Sequence, residues 1–221
     1  NNATRSIDDY ILFFQQLGIM TNHSNFLTAS YATVYYLKKY HPGELIYVMG
    51  TKSFIRELKK NKIRVTTDGE DEEISCVLIS YDNQLTYEKI SDTCRLLSTK
   101  KVDYLATNPD YVCPIEFGYV PDCGAICEML NHAIMPHFIG KPEPDMVELA
   151  ISRNNYRKEE TLVVGDRLYT DMLCGHNAKV ETAMVLTGEA TKEEAECCPY
   201  GPDYLMQSVA SLHKKWLEEI T

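Results

Sequence analysis

The chain has 221 residues, 44% of them hydrophobic and 24% charged, the make-up of a soluble globular protein of one domain or two modest ones. Its net charge of −10, with no basic stripe, excludes a nucleic-acid partner held by phosphate neutralisation. No apolar run reaches the roughly eighteen residues of a membrane-spanning helix, and no signal peptide is visible in the given residues.

Taken in order, Ser6 stands as an N-cap ahead of a helix over 7–17, with Gly18 placed for a left-handed C-cap. Thr28 caps a helix over 29–40 that Pro42-Gly43 ends. The rhythm then changes to strand 45–49, helix 53–60, strand 63–66, strand 76–80, helix 87–98 and strand 102–107. This β-α-β-β-α-β order reads as one compact module. An acidic run, Asp68 to Glu73, is a solvated turn within it. A loop over 108–122 with three prolines and three aromatic residues follows, then a helix over 124–132. Strand 136–139, helix 145–153, strand 161–164, helix 170–177 and strand 182–186 alternate after that, as a parallel sheet with right-handed crossovers requires. An edge strand at 204–206 and an amphipathic helix over 208–220 close the chain.

The eight cysteines are scattered and unevenly spaced, which is no disulfide framework, and they read as reduced thiols of a cytoplasmic protein. Cys123, Cys127, His132 and His137 have C-x3-C and H-x4-H spacings. Finger-like zinc sites leave about a dozen residues between such pairs, and only four stand between these, so zinc is disfavoured.

Two stretches carry chemistry. Strand 161–164 reads as buried, stops at Gly165 and releases Asp166 at a strand's carboxyl end, where open parallel sheets hold ligands. Asp171 follows five residues later, at the start of a helix. Hard carboxylate oxygens at such a place suit Mg²⁺. Upstream, Gly140-Lys141-Pro142-Glu143-Pro144 fixes an ammonium at a sheet edge, and Pro144 opens a helix without losing a backbone bond. A cation beside a metal-binding carboxylate is the pairing that a phosphate ester needs.

Gly140-Lys141-Pro142-Glu143-Pro144 and Val163-Val164-Gly165-Asp166-Arg167-Leu168-Tyr169-Thr170-Asp171 resemble motifs III and IV of the haloacid dehalogenase superfamily. The similarity is to its NagD-like, or p-nitrophenylphosphatase-like, group. Ala106 to Asp110 and Asp122 to Ala125 resemble that group's cap landmarks, and Asn1 to Ser6 the residues after its motif II hydroxyl. The resemblance implies an α/β fold: a Rossmann-like parallel-sheet core, 1–28 with 136–221, carrying an inserted α/β cap, 29–135. It implies a Mg²⁺-dependent phosphatase acting on a small phosphorylated metabolite through an aspartyl-phosphate, with no nucleic acid or membrane partner, and a cap-to-cap homodimer as a possibility. By motif, Asp166 is the metal ligand and Asp171 holds a metal-bound water or orients the loop. Lys141 pairs with phosphate and nucleophile, and Asn1 and Asn2 offer backbone N–H groups to the phosphate. Tyr111, in the aromatic-proline loop, is a substrate contact by the same reasoning, or else part of a packed cap loop.

One departure stands out. The family nucleophile lies in an Asp-x-Asp motif near the N-terminus, and these residues contain none: Asp8-Asp9 is adjacent, and Asp68 and Asp71 stand three apart within the acidic run. The expectation is a core whose N-terminal part, with motif I, is missing from the chain as given, so that the chain alone is inactive. The alternative is a non-catalytic module that binds a phosphate ester or a partner.

Overall fold

The structure, a computed structural model, describes residues 7–130 and 134–220. Ser6, Asn1, Asn2 and His132 lie outside the described residues. The chain divides into two compact units, Asn1–Gly140 and Lys141–Thr221.

The first unit begins with α1 (Ile7–Gln16) and α2 (Ala29–Tyr40), then β1 (Leu45–Met49), α3 (Lys52–Lys60), β2 (Val65–Thr66) and β3 (Ile74–Ile79). It continues through α4 (Tyr87–Thr99), β4 (Asp103–Ala106), the pair β5 (Val112–Ile115) and β6 (Gly118–Pro121), α5 (Cys123–Met129) and β7 (His137–Phe138). Gly18 closes the exit of α1 with φ +76°, where a side chain would be strained, and Thr28 Oγ1 accepts the Tyr31 N–H to start α2.

The main sheet runs β2-β1-β3-β4-β7, every neighbour parallel. Parallel strands are covered on both faces, and the sequences of β1 and β3 show it as near-continuous apolar runs. Tyr47 and Met49 of β1 join Val77, Ile79, Leu96, Cys123, Ile126 and Cys127 in one buried cluster. The alternate residues Ile46 and Val48 are equally buried on the opposite face. Each such side chain contributes about 1.5–3 kcal/mol of burial, so this sheet is the main store of stability in the unit.

The strand expected at 136–139 is β7, and it extends this first sheet by pairing Leu105 with His137 and Ala106 with Phe138. The loop expected over 108–122 contains the β5–β6 hairpin, turned at Gly118 with φ +136°. Cys123 and Cys127 point into the core, where Thr107 Oγ1 donates to Cys123 Sγ at 3.7 Å, while His137 stacks on Tyr36 with ring centres 5.3 Å apart. All eight cysteines are free.

The second unit has α6 (Asp145–Asn154), β8 (Leu162–Gly165), α7 (Leu173–Ala178), β9 (Glu181–Val185), α8 (Lys192–Cys197), β10 (Tyr204–Met206) and α9 (Val209–Ile220). Its parallel sheet runs β10-β9-β8. Gly175 lets α7 lie close to the sheet, because a Cβ there would fall 2.3 Å from Thr182 Cγ2. The expectation of a buried strand at 161–164 is corrected. β8 is the edge of this sheet among the described residues, and Leu162 and Val164 are 39% and 42% exposed. Both side chains lie on one face of the strand, and that face is open. No described helix is long and apolar enough to cross a membrane.

Candidate functional site

Three of the residues singled out in the sequence come together in the second unit, at the carboxyl ends of its strands. β8 stops at Gly165, and the chain turns through Asp166 and Arg167 into a π-type turn, Leu168–Met172, before α7 begins. The N–H groups of Asp171 and Met172 both donate to Arg167 O, at 3.0 and 3.1 Å. Such widened turns are frequent at functional sites. Here the turn directs Asp171 back towards the loop that precedes it.

Asp171 is buried, and its carboxylate is fully engaged. Oδ2 accepts the N–H groups of Asp166 and Arg167, each at 3.2 Å. Oδ1 accepts from Lys141 Nζ in an ion pair. Gly165 makes this fit possible, since a Cβ there would stand 2.3 Å from Asp171 Cγ. Lys141 is thus tied to Asp171, and through Asp171 to the backbone of Asp166. An ammonium has three donors, so its bond to Asp171 still leaves others.

The stretch that carries Lys141 is held in turn. The Lys141–Pro142 peptide is cis. Asn177 Nδ2 donates to Pro142 O at 3.0 Å, and Cys174 Sγ donates to Glu143 O at 3.2 Å. Burial pushes the Cys174 thiol up to about 11, against the pull of the nearby Lys141 charge. It is therefore an inert packing group rather than a nucleophile. Pro144 leads into α6, as its sequence position suggests.

Asp166 is held from the far side. Its Oδ2 accepts the Glu189 N–H at 3.1 Å, and its carbonyl accepts the Ala190 N–H at 3.1 Å. Among the described residues its Oδ1 takes no hydrogen bond. That leaves one oriented hard oxygen, the donor type that a Mg²⁺ ion requires. Asp171 has no such oxygen to spare, so a role in orienting the loop suits it better than ligation. Arg167 Nε meets Glu189 Oε2 at 2.5 Å, so two consecutive residues of one loop grip the other.

Of the other residues singled out, Asn1 and Asn2 lie outside the described residues. Tyr111 belongs to the first unit, just ahead of β5, half-exposed, with its carbonyl accepting the Asp122 N–H at 2.9 Å. The cap landmarks around it form a buried knot. Asn108 Nδ2 donates to Asp110 Oδ2 at 3.0 Å and to Asp122 Oδ1 at 3.2 Å, so one amide bridges two carboxylates. Among the described residues, the one grouping of three His or carboxylate donors within 4.8 Å is His41, Glu44 and Asp103, where His41 Nδ1 already meets Glu44 at 3.1 Å. Sequence reasoning missed Gly188, Glu189 and Ala190. Their one visible signal is a Thr187-Gly188 pair just beyond a strand's carboxyl end.

Comparison with known proteins places the chain in a family. A family profile described as HAD-hydrolase-like matches residues 138–212, and one described as haloacid dehalogenase-like hydrolase matches residues 1–64. An acid sugar phosphatase of Staphylococcus epidermidis is 30% identical over 220 residues, 97% of this chain and 83% of that protein. The crystal structure of a 4-nitrophenylphosphatase from Thermotoga maritima aligns with TM-score 0.87 at 31% identity, covering 97% of this chain and 81% of that one. A glycerol phosphate phosphatase from Mycobacterium tuberculosis, solved in complex with magnesium, aligns with TM-score 0.87 at 26% identity, covering 96% of this chain and 64% of that one.

Proposed function

The chain belongs to the phosphatases of the haloacid dehalogenase-like superfamily, in their NagD-like or p-nitrophenylphosphatase-like branch, and on that premise we propose how its residues serve the reaction. It hydrolyses a small phosphate monoester with Mg²⁺ bound through Asp166. The observation that carries this reading is the linked set of Lys141, Asp171 and the 165–167 loop, which sets a cation beside an oriented carboxylate.

When bound, Mg²⁺ supplies charge that lets an anionic nucleophile approach an anionic phosphoryl group. The remaining work falls to this chain. Lys141 offers its remaining N–H donors to phosphoryl oxygens, and their positive charge matters most as negative charge shifts during transfer. Asp171 keeps that ammonium fixed, and ties it to the backbone beside Asp166. Asp166 presents Oδ1 to the ion. The attacking carboxylate of the family sits in an Asp-x-Asp motif, which these 221 residues do not contain, so no attacking residue is assigned among them.

The names of the relatives, an acid sugar phosphatase and a glycerol phosphate phosphatase, favour a phosphorylated sugar or polyol as substrate. Tyr111 and the N–H groups of Asn1 and Asn2 are its further contacts in this proposal. We propose residues 1–28 with 136–221 as the core and 29–135 as the cap; the pairing of β7 with β4 favours moving the second junction towards Gly140. A cytoplasmic location is part of the same proposal, with free thiols in its favour.

The test uses the full-length protein, p-nitrophenyl phosphate and MgCl₂. Turnover that requires Mg²⁺ and disappears in Asp166→Asn is the expected result. No turnover across a broad panel of phosphate esters favours the second reading, a non-catalytic phosphate-ester or partner-binding module. The lack of an Asp-x-Asp stretch in these residues is what keeps that reading alive.

A further inference from the structure

We propose that the loop after β9, residues 187–190, is a positioning device that decides which oxygen of Asp166 faces the metal ion. The inference rests on the reading of Asp166 as the Mg²⁺ ligand and adds a role for residues outside motifs III and IV.

Two successive N–H groups of this loop bind the same residue. Glu189 N–H donates to Asp166 Oδ2 at 3.1 Å, and Ala190 N–H donates to Asp166 O at 3.1 Å. The first bond occupies one carboxylate oxygen and the second fixes the backbone that carries it. Rotation about the side chain is thereby blocked, and Oδ1 is the oxygen left to present. Mg²⁺ demands near-octahedral geometry at about 2.0–2.1 Å, so a carboxylate free to rotate is a poorer ligand than a held one.

Gly188 is what lets the loop come this close. A Cβ at 188 would lie 1.9 Å from Asp166 Oδ2, 2.3 Å from its Cβ and 2.4 Å from its Cγ. Turning the carboxylate aside relieves the contacts with Oδ2 and Cγ, but Cβ is fixed by the backbone, so a methyl group at 188 also forces the two loops apart. The ligand geometry is lost, at some cost in stability. The loop is also braced at two points: Glu189 Oε2 meets Arg167 Nε at 2.5 Å, and Leu186 and Ala190 pack against Met172, Met184 and Ala195.

Removing partners that orient a metal ligand typically costs on the order of 10–100-fold in metal affinity. The experiment measures Mg²⁺ binding to the full-length protein by titration calorimetry without substrate, with Mn²⁺ binding followed by electron paramagnetic resonance as a second readout. Gly188→Ala is expected to weaken Mg²⁺ binding by about 10–100-fold, with a lowered melting temperature as the loops part. Glu189→Ala keeps the backbone donor but loses the brace to Arg167, and is expected to show a smaller loss, about 3–10-fold. Folded variants with wild-type Mg²⁺ affinity overturn the proposal, as does a fall in melting temperature with no change in affinity. Should Gly188→Ala fail to fold, Glu189→Ala decides alone on the same criteria. Asp166→Asn separates the two levels. If it loses Mg²⁺ binding while the loop variants keep theirs, only the loop proposal falls; if it keeps Mg²⁺ binding, the reading beneath falls and takes the loop with it.

Discussion

Replacing Asp171 by asparagine tests whether this carboxylate holds the site together. The wild-type side chain accepts three donors: Lys141 Nζ, and the N–H groups of Asp166 and Arg167 at 3.2 Å. An asparagine has one accepting end and one donating end. Turning its oxygen to the two N–H groups leaves the amide NH₂ against the ammonium. Turning it the other way strands two part-buried N–H donors, which is worse. In the better orientation two bonds drop from charge-assisted to neutral, about 1 kcal/mol each, and the ammonium loses its acceptor. Lys141 is 26% exposed, so water recovers part of that last loss, leaving about 1 kcal/mol. The sum is about 3 kcal/mol, or a melting temperature lower by roughly 6–12 °C for a chain this long. Differential scanning calorimetry at pH 7 reads it directly. Asp166→Asn is the control, because its side chain accepts one N–H and should cost no more than about 1 kcal/mol. A drop of less than 2 °C for Asp171→Asn, or equal drops for both variants, would refute the argument that Asp171 is the anchor.

Other outcomes follow from packing and from burial. Gly124→Ala places a Cβ 2.1 Å from Pro109 O, a backbone atom that cannot step aside, and should cost about 3 kcal/mol or more in thermal unfolding; a melting point within 2 °C of wild type would show that the start of α5 gives way freely. The Cys174 thiol, pushed up by burial from its ordinary 9.0 to about 11, keeps its proton when folded at pH values where the unfolded chain loses it. Its contribution is therefore whole below pH 9 and fades between pH 9 and 11. Urea unfolding should show wild type losing about 1 kcal/mol more than Cys174→Ala between pH 9 and 10, and equal slopes would contradict the burial argument.

How far the sequence reached depends on what each feature is made of. Helix α2 was legible to the residue because Thr28 and Pro42-Gly43 mark its ends with side-chain and ring chemistry. The meeting of Lys141 with the 166–171 stretch was legible only jointly, through the order of the two stretches and their resemblance to motifs III and IV, since a lone Gly-Asp is usually a turn and a lone Lys-Pro a surface loop. The β5–β6 hairpin was hidden by Pro114 and Pro121, which normally argue against a strand and are tolerated here only because a two-stranded ribbon has open edges. Helix α8 carried a readable signal, Thr191 with Glu194 as a reciprocal cap, that went unread. Strand β8 showed only its apolar pattern, and pattern alone does not reveal that a strand lies at a sheet's edge. The grip of Gly188 and Glu189 on Asp166 had no side-chain signature at all, since backbone N–H groups made the bonds.

The widened turn at Leu168–Met172 carries one more lesson, about insertion and deletion. An ordinary helix advances about 100° per residue around its axis. Trimming one residue from this segment would give a more regular coil and, by local criteria, a happier one. It would also swing Asp171 roughly a quarter-turn or more away from its three donors. A homologue shortened by a single position there should thus look better wound and have its lysine adrift.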